Sequence, residues 1–438
     1  MPPEGPTRLD ASSPGFEKDF SAFLSRNRDT DENVDRIVAD IVADVRARGD
    51  AALVEYTRKF DRVETDAAGL RVSEAERRAA AAQASAAQRE ALEFAARRIE
   101  AFHRALLPKD VDFTDHTGTR LGARYRPLDS VGVYVPGGTA AYPSSVLMNI
   151  VPAKVAGVKR VVMVVPTPGG TLNPLVMLAA EIAGADEIWR IGGAQAVAAL
   201  AYGTASMRPV DKITGPGNAF VAAAKRRVFG QVGIDLIAGP SEILVVADRH
   251  NDPAWIAADL LSQAEHDASS QSVLIADDKA FAGAVIRAVD TELKTLARAD
   301  IAAASWRDNG AIILVPDLAQ SAPIVDRIAA EHVELAMEPE AAEALSQKIA
   351  HAGAIFLGRH TPEAIGDYVA GTNHVLPTSR AARFSGGLSV ADFLKRTSIV
   401  GCSPAALAEL GPAALALAEA EGLDAHGRSI SIRLNRRG

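Results

Sequence analysis

Two patterns of apolar residues divide the chain into a helical N-terminal part and a longer part in which short strands alternate with helices. Between residues 31 and 107, apolar side chains recur every three or four positions, as at Val34, Ile37 and Ile41, which is the spacing of an amphipathic helix. From about Asp129 the chain instead carries short β-branched runs, each followed by a helical run. The first pattern predicts helices, and the second predicts strands that alternate with helices.

The β-branched runs are continuous apolar segments, which is typical of parallel strands covered by helices on both faces. Before residue 238 they read VGVYVP, VKRVVMVVP, EIWRIGG and DKIT, and after residue 239 they read EILVVAD, SVLIADD, AIILVPD, VELAM and AIFLG. The stretch around 236–241 contains Gly and Pro and predicts a connection between the two sets. We therefore expect an α/β fold with two Rossmann-like lobes, each built on a parallel sheet.

The ends of the chain are expected to add to these lobes. After about Arg380 the strand-helix alternation stops, and a tail of ~50 residues rarely sustains a core of its own, so it should pack on the lobes or on another subunit. Nearer the N-terminus, Ser73 and Glu76 form a capping-box pattern that predicts the start of one long exposed helix. The expected division is a helical segment packing on the first lobe, the first lobe, the second lobe and a small tail domain, at residues 1–128, 129–238, 239–380 and 381–438.

Composition and charge exclude several classes of protein. Of the 438 residues, 48% are hydrophobic and 23% are charged, which is near the average for globular proteins and disfavours disorder. The net charge is −8 and no long basic run is present, so nucleic acid is an unlikely partner class. The N-terminus lacks the pattern of a secretion signal, and the most apolar stretch is interrupted by Pro and Gly before it could span a membrane. The single cysteine, Cys402, excludes an internal disulfide and a thiolate zinc cluster, which fits a cytoplasmic protein.

Three loops follow strand ends in the first lobe and should converge at one edge of its sheet. They are Tyr134–Gly138, Gly192–Ala196 and Gly215–Asn218. The dinucleotide fingerprint G-x-G-x-x-G is absent, because Phe220 stands where the third glycine should be. The last loop precedes a helix, so its free amides could meet an anion such as a pyrophosphate, although a simple tight turn explains it equally well. Convergence of all three predicts a ligand crevice.

A set of nitrogen and oxygen donors in the second lobe and the tail suits a divalent metal. Gln263 and His266 lie three residues apart on a predicted helix and so share a face. Asp367 and His374 come from a glycine-rich segment, and His426 lies in the tail, shortly after Glu421. In a chain without a thiol cluster these donors suit zinc or a similar ion. For each residue taken alone, a surface or structural role stays open.

Glu331 and His332 are adjacent at the point where a helical pattern gives way to a strand. A carboxylate beside an imidazole at the end of an element is a plausible general-base unit. The alternative is a histidine at a helix carboxyl end, where the helix dipole favours its charged form. The two residues alone do not decide between these interpretations.

Six longer segments occur in order along the chain: IDLIAGPSEILVVAD, DLLSQAEHD, AEHVEL, GDYVAGTNHVLPT, SGGLSVADFLKR and EGLDAHGRSISIRL. Together they resemble the histidinol dehydrogenase family, over residues from about 30 to 435. The resemblance implies an NAD-dependent, zinc-requiring four-electron oxidation of L-histidinol, through L-histidinal, to L-histidine. These are the last steps of histidine biosynthesis, and they require no redox metal.

The resemblance also implies a role for individual residues. His332 would take the hydroxyl proton while hydride leaves to NAD, and Glu331 would activate water for attack on the aldehyde. The zinc ligands would be Gln263, His266, Asp367 and His426. The substrate-contacting residues would be Ser241, Gln263, His266, His332, Asp367, His374, Glu421 and His426. The cofactor-contacting residues would be Tyr134, Gln195 and Asn218.

Members of this family are homodimers whose C-terminal tail crosses to the partner, so Glu421 and His426 would complete the other subunit's site. Three alternatives remain at this stage. A related dehydrogenase could oxidise another small alcohol such as a sulfonated diol, although a carboxylate near the substrate amine favours a cation. A zinc hydrolase would use Glu331 to activate a metal-bound water and would not need NAD. A binding protein would close its lobes on a ligand without turnover.

Overall fold

The computed structural model describes residues 5–26, 32–137, 142–237 and 239–434. Gly138 of the first predicted loop, and Ala238 at the boundary between the lobes, lie outside them. The strands are β1 Thr7–Asp10, β2 Val111–Thr114, β3 Arg120–Pro127, β4 Ser130–Tyr134, β5 Arg160–Val164, β6 Glu187–Trp189, β7 Lys212–Thr214, β8 Gly233–Ile234, β9 Glu242–Ala247, β10 Gln271–Ala276, β11 Ala311–Leu314, β12 His332–Ala336, β13 Ala354–Leu357 and β14 Leu394–Gly401.

The helices cover most of the remaining described residues. They are α1 Phe16–Leu24, α2 Glu32–Arg48, α3 Asp50–Asp61, α4 Glu74–Ala81, α5 Ala86–Ala105, α6 Pro143–Ala156, α7 Pro174–Ala183, α8 Gly193–Tyr202, α9 Ala219–Val228, α10 Pro253–Ala264, α11 Lys279–Glu292, α12 Ala299–Asn309, α13 Ala322–Ile328, α14 Pro339–Ser346, α15 Glu363–Tyr368, α16 Pro404–Ala420 and α17 Asp424–Leu434. Among the described helices, none is long and apolar enough to cross a membrane.

The first lobe is built on a parallel sheet with the strand order β6-β5-β4-β7-β8. Its inner strands are almost wholly buried, because α6 and α7 cover one face while α8 and α9 cover the other. Strands β4 and β7 are neighbours in the sheet but not in the sequence, so the strand order reverses between them. Such a switch point opens a crevice at the carboxyl ends of the strands.

The second lobe has a parallel sheet with the order β1-β11-β10-β9-β12-β13. Its central strands are buried on both faces, with α10, α11 and α12 on one side. The expectation of an α/β fold with two Rossmann-like lobes and parallel sheets is thus confirmed.

The N-terminal end of the chain differs from the expected helical segment packing on the first lobe. Strand β1 joins the second sheet, and the apolar side chains of Phe16, Phe20 and Phe23 of α1 are buried in that lobe's core. Strands β2 and β3 form an antiparallel sheet with β14 from the tail. The tail therefore begins by pairing with residues that precede the first lobe.

The single long helix expected from Ser73 is divided into α4 and α5. The Ser73–Glu76 capping box is present as expected, but a second capping box, formed by Ser85 and Gln88, starts α5. Each serine oxygen accepts a hydrogen bond from an amide at the start of its helix, which satisfies a donor that has no partner within the helix.

Candidate active site

Glu331 and His332 lie at the amino end of β12, in the sheet of the second lobe. Helix α13 ends at Ile328, and Ala329 adopts a left-handed conformation with a φ of 50° that turns the chain towards the strand. Both side chains are buried, with exposed fractions of 6% for Glu331 and 4% for His332. A structural role at an exposed helix terminus is therefore excluded for this pair.

One backbone contact determines which nitrogen of His332 can act as a base. Nδ1 lies 3.0 Å from the carbonyl oxygen of Glu242, which can only accept, so Nδ1 carries the proton and donates. Nε2 then keeps a free lone pair, and it has no hydrogen-bond partner among the described residues. Burial lowers the pKa of His332 to about 4, so the neutral ring is the resting form at neutral pH.

Glu331 is held by the same strand, β9, that holds His332. Its Oε2 accepts a hydrogen bond of 3.0 Å from the amide of Glu242. Burial, with the neighbouring carboxylates of Glu242, Asp367 and Glu363, raises the pKa of Glu331 well above its usual range. A carboxyl group with a raised pKa can take a proton from water at neutral pH more readily than an ordinary glutamate.

Helix α15 adds two carboxylates that face the free nitrogen of His332. Glu363 Oε1 lies 3.5 Å and Asp367 Oδ1 lies 4.0 Å from Nε2. Burial, with nearby Asp367, raises the pKa of Glu363 to about 8. Although burial opposes it, the contact with His374 lowers the pKa of Asp367 to about 2, so Asp367 is a carboxylate. Sequence reasoning missed Glu363, although its spacing of four residues from Asp367 on one helix was a usable signal.

His374 is placed beside Asp367, as its position seven residues later in the glycine-rich segment allows. Its Nδ1 lies 3.1 Å from the carbonyl oxygen of Asp367 and 3.6 Å from Oδ1 of the same residue. Nε2 of His374 lies 3.4 Å from Ser145 Oγ of α6, a first-lobe helix. Residues His332, Glu363, Asp367 and His374 form the donor cluster of the second lobe. His374 brings this cluster into contact with the first lobe.

Gln263 and His266 lie at the end of α10 with their side chains in contact, 3.3 Å apart from Nε2 to Nδ1. Gln263 is 1% exposed, and its Oε1 has no hydrogen-bond partner in the described part of the chain. His266 also lies close enough to Asp367 and His332 to contribute to lowering the pKa of both. A divalent cation binds oxygen and nitrogen atoms that have no other partner. The buried, unpartnered Oε1 of Gln263 lies beside the imidazole of His266, so these two residues fit zinc.

The expected four zinc ligands are only partly brought together within one chain. In the described residues, the one group of at least three acidic, histidine or cysteine side chains within metal-binding distance of one another is His332, Glu363 and Asp367. His426 and Glu421 are exposed on the tail, which packs α17 on α16. Ser241 lies directly before β9, next to the strand that holds Glu331 and His332.

The three predicted loops of the first lobe do meet at its switch point. The hydroxyl oxygen of Tyr134, at the end of β4, accepts a hydrogen bond of 3.0 Å from the amide of Gly193. Gly215, which follows β7, has a φ of 110° and passes so close to the Tyr134 carbonyl that a Cβ would clash with it. Ligands of open parallel sheets bind at the carboxyl ends of the strands, where such loops converge, so the position of these loops fits NAD.

Gln195 and Asn218 occupy different surroundings within these loops. Gln195 is buried in the first turn of α8, whereas Asn218 is exposed and caps α9. The Asn218 carboxamide accepts hydrogen bonds from the amides of Phe220 and Val221, and the amide of Gly215 donates to Asp235. The expectation of free amides for an anion is wrong at these three positions, because side chains of the protein already satisfy them.

A family model described as histidinol dehydrogenase matches residues 24–434. The chain belongs to the histidinol dehydrogenase family. This is an oxidoreductase family, and the match covers both lobes and the tail. The resemblance found in the six sequence segments is thereby confirmed.

Individual relatives agree with the family match. The chain is 61% identical over 432 residues to a histidinol dehydrogenase of Rhodospirillum rubrum, covering 98% of this chain and 99% of the relative. It is 62% identical over 433 residues to one of Rhodopseudomonas palustris, covering 99% and 100%. The crystal structure of histidinol dehydrogenase from Elizabethkingia anophelis has a TM-score of 0.92 at 35% identity, covering 98% of each chain. The whole architecture is therefore that of the family.

Proposed function

We propose that this protein oxidises L-histidinol, through L-histidinal, to L-histidine in two steps that each reduce one NAD+. The observation that carries the proposal is the buried Glu331–His332 pair, whose free imidazole nitrogen faces Glu363 and Asp367 of α15. In this proposal the first lobe, residues 129–238, binds the cofactor and the second lobe, residues 239–380, carries the metal and catalytic residues.

A zinc ion held by Gln263, His266, Asp367 and His426 would fix the imidazole and amine of the substrate without exchanging electrons, and NAD+ would accept hydride. The remaining substrate contacts would come from Ser241, His374 and Glu421, and the cofactor contacts from Tyr134, Gln195 and Asn218. The protein's own residues move the protons, as their surroundings suggest.

His332 would act in the first oxidation, because its Nε2 is neutral and free while Nδ1–H is held by the carbonyl of Glu242. It takes the proton of the substrate hydroxyl as the carbon loses hydride. Glu331 would act in the second oxidation, because its raised pKa suits the removal of a proton from the water that attacks the aldehyde. In this proposal each oxidation uses its own base, so both Glu331 and His332 are needed at one site, which agrees with their burial side by side.

We further propose that the protein is a cytoplasmic homodimer in which the tail, residues 381–438, completes the site of the partner subunit. Within one chain, Glu421 and His426 are exposed. Large apolar side chains of the tail are exposed as well, including Val400 (67%), Leu417 (65%) and Ile432 (62%). An apolar face of this kind is typical of a subunit interface.

The test is the number of NADH molecules formed per molecule of L-histidinol consumed by zinc-loaded protein. We expect two NADH per substrate, loss of turnover on chelation and recovery on addition of zinc. Glu331→Gln should lower this ratio towards one, because the aldehyde would leave before water attacks it. A wild-type ratio of one would contradict the second step, and no NADH at all would contradict the substrate and lead to sulfonated diols as the next candidates.

A further inference from the structure

A buried ion pair lies behind the Gly215–Asn218 loop. Lys225, on the second turn of α9, and Asp235, directly after β8, are in contact, and their side chains are only 2% and 1% exposed. Lys225 is the single charged residue among the buried residues of α9. Two charges lose much hydration when they are buried, and an apolar pair of similar volume would be about as stable. The pair therefore calls for a role other than stability.

The pair holds both backbone polar groups of Gly215, which belong to two successive peptide units of the loop. The amide of Gly215 donates a hydrogen bond of 2.8 Å to Asp235 Oδ2, and Lys225 Nζ donates one of 3.1 Å to the Gly215 carbonyl. Gly215 has a φ of 110° and lies against the end of β4, so its peptide orientation sets the course of the chain to Asn218. The ion pair thus determines where the loop stands at the switch point of the sheet.

We propose that Lys225 and Asp235 are positioning residues of the cofactor site, which hold the Gly215–Asn218 loop in the conformation that receives NAD. The inference rests on the proposed function, because it assumes that this loop contacts the cofactor. A loop held in its binding conformation before the ligand arrives avoids the entropy cost of ordering on binding. Asp235 also begins the connection to the second lobe, so the loop is tied to the start of that connection.

The test is calorimetric titration of NAD+ into the double variant Lys225→Met/Asp235→Asn. The two neutral side chains have similar volumes and leave no buried charge unpaired, so the variant should fold, but the Gly215 carbonyl loses its donor. We expect the Kd for NAD+ and the KM for NAD+ to rise about tenfold, which corresponds to ~1.4 kcal/mol. The KM for L-histidinol and kcat should stay within about twofold of wild type, because Lys225 and Asp235 make none of the proposed contacts with the substrate.

The matched control is the pair Arg160–Glu187, which is also largely buried, with side-chain exposures of 14% and 13%. It joins the first residues of β5 and β6, at the opposite edge of the same sheet. Arg160→Met/Glu187→Gln should therefore leave NAD+ affinity unchanged, whatever it does to thermal stability. An equal loss of affinity in this control would overturn the positioning role.

Two further outcomes separate the inference from the function on which it rests. If wild type binds NAD+ and the folded Met/Asn double variant binds it equally well, the positioning role is wrong and the proposed function stands. If wild type itself binds no NAD+, both are wrong. Should the Met/Asn double variant not fold, Lys225→Gln/Asp235→Asn replaces it. Because glutamine is shorter than lysine and holds the Gly215 carbonyl less well, a Kd raised about threefold supports the role and an unchanged Kd overturns it.

Discussion

His332 owes its chemistry to an atom 90 residues away in sequence, the carbonyl oxygen of Glu242. The sequence places an acid beside an imidazole where a helix ends and a strand begins, which raised a general-base pair as one of two interpretations, and the family resemblance then assigned the two roles. The sequence could not predict which ring nitrogen is free, because the answer depends on the register of β12 against β9, in which His332 pairs with Ile243. The tautomer is a consequence of the folded sheet.

His332→Ala should lower kcat by roughly 10²–10⁴, the usual effect of losing a general base, and change the KM for L-histidinol much less. The reason is that Nε2 takes a proton in the reaction, whereas the other proposed substrate contacts remain. Steady-state kinetics with a check of zinc content measure this. His360→Ala, at an exposed histidine whose ring is tilted against that of Trp255, is the control and should behave as wild type. A wild-type kcat in the His332 variant would remove this residue from the mechanism.

The remaining site residues show which signals a sequence carries. Gln263 and His266 were predictable as neighbours because the spacing of three on a helix is local. Lys225 and Asp235 were not, because their contact joins a helix to the end of another strand. In the proposed dimer, Asp367 and His426 would share one metal across two chains, and no local pattern encodes that distance.

At the scale of elements, strands β4 to β7 and β9 to β13 were predictable because buried parallel strands are continuous apolar runs. The short strands β1 and β8 carry no such run and were not predicted. Strands β2, β3 and β14 were missed, since their largely exposed residues give no such run. The division between α4 and α5 was missed for another reason. Ser85 and Gln88 carry a capping signal, but the alanines around them favour continued helix, and the signal is decisive only in the folded chain.

Ser85→Ala should lower the free energy of unfolding by ~1 kcal/mol, because the first amides of α5 lose the side chain that satisfies them. Ser85→Asn should leave stability close to wild type, since asparagine is an equally good cap. Urea unfolding of the three proteins measures the difference. Equal loss in both variants would show that the serine contributes something other than its capping oxygen.

Helix α5 also carries a buried histidine that makes stability depend on pH. His103 is fully buried, and neither ring nitrogen has a hydrogen-bond partner among the described residues. Burial lowers its pKa from 6.5 to about 4, so the unfolded chain binds a proton first as pH falls. Its contribution is complete above about pH 6.5 and is lost progressively towards pH 4.

His103→Leu should therefore lose less stability than wild type between pH 6.5 and pH 4.5, because leucine binds no proton in either state. Urea unfolding at several pH values, for wild type and variant side by side, measures the difference and cancels the titration of the carboxylates. His116→Leu, at an exposed histidine, serves as the control. Parallel pH curves for wild type and His103→Leu would contradict the assignment.

At the scale of the whole molecule, the two lobes present different ends of their sheets. The first lobe offers the carboxyl ends of its strands at the switch point, where Tyr134 meets Gly193 and Gly215. The second lobe offers the amino end of β12, where Glu331 and His332 stand. Contact between Ser145 and His374 joins the lobes beside the donor cluster. Strand β14 of the tail pairs with β3, and the tail then continues as the largely exposed helices α16 and α17. Within one chain, His426, the proposed fourth zinc ligand, is therefore exposed.

If the tail completes the partner's site, two variants that each fail to form L-histidine should rescue each other. Each chain of Glu331→Gln or His426→Ala carries one defect, and in a hybrid dimer both defects fall in one site while the other site is intact. Random exchange makes half of the dimers hybrid, so about a quarter of the wild-type rate of L-histidine formation should return. The measurement is L-histidine formed after mixing, with subunit exchange followed by a tag on one variant. If each site were built within one chain, every chain would keep its own defect, and confirmed exchange would restore nothing.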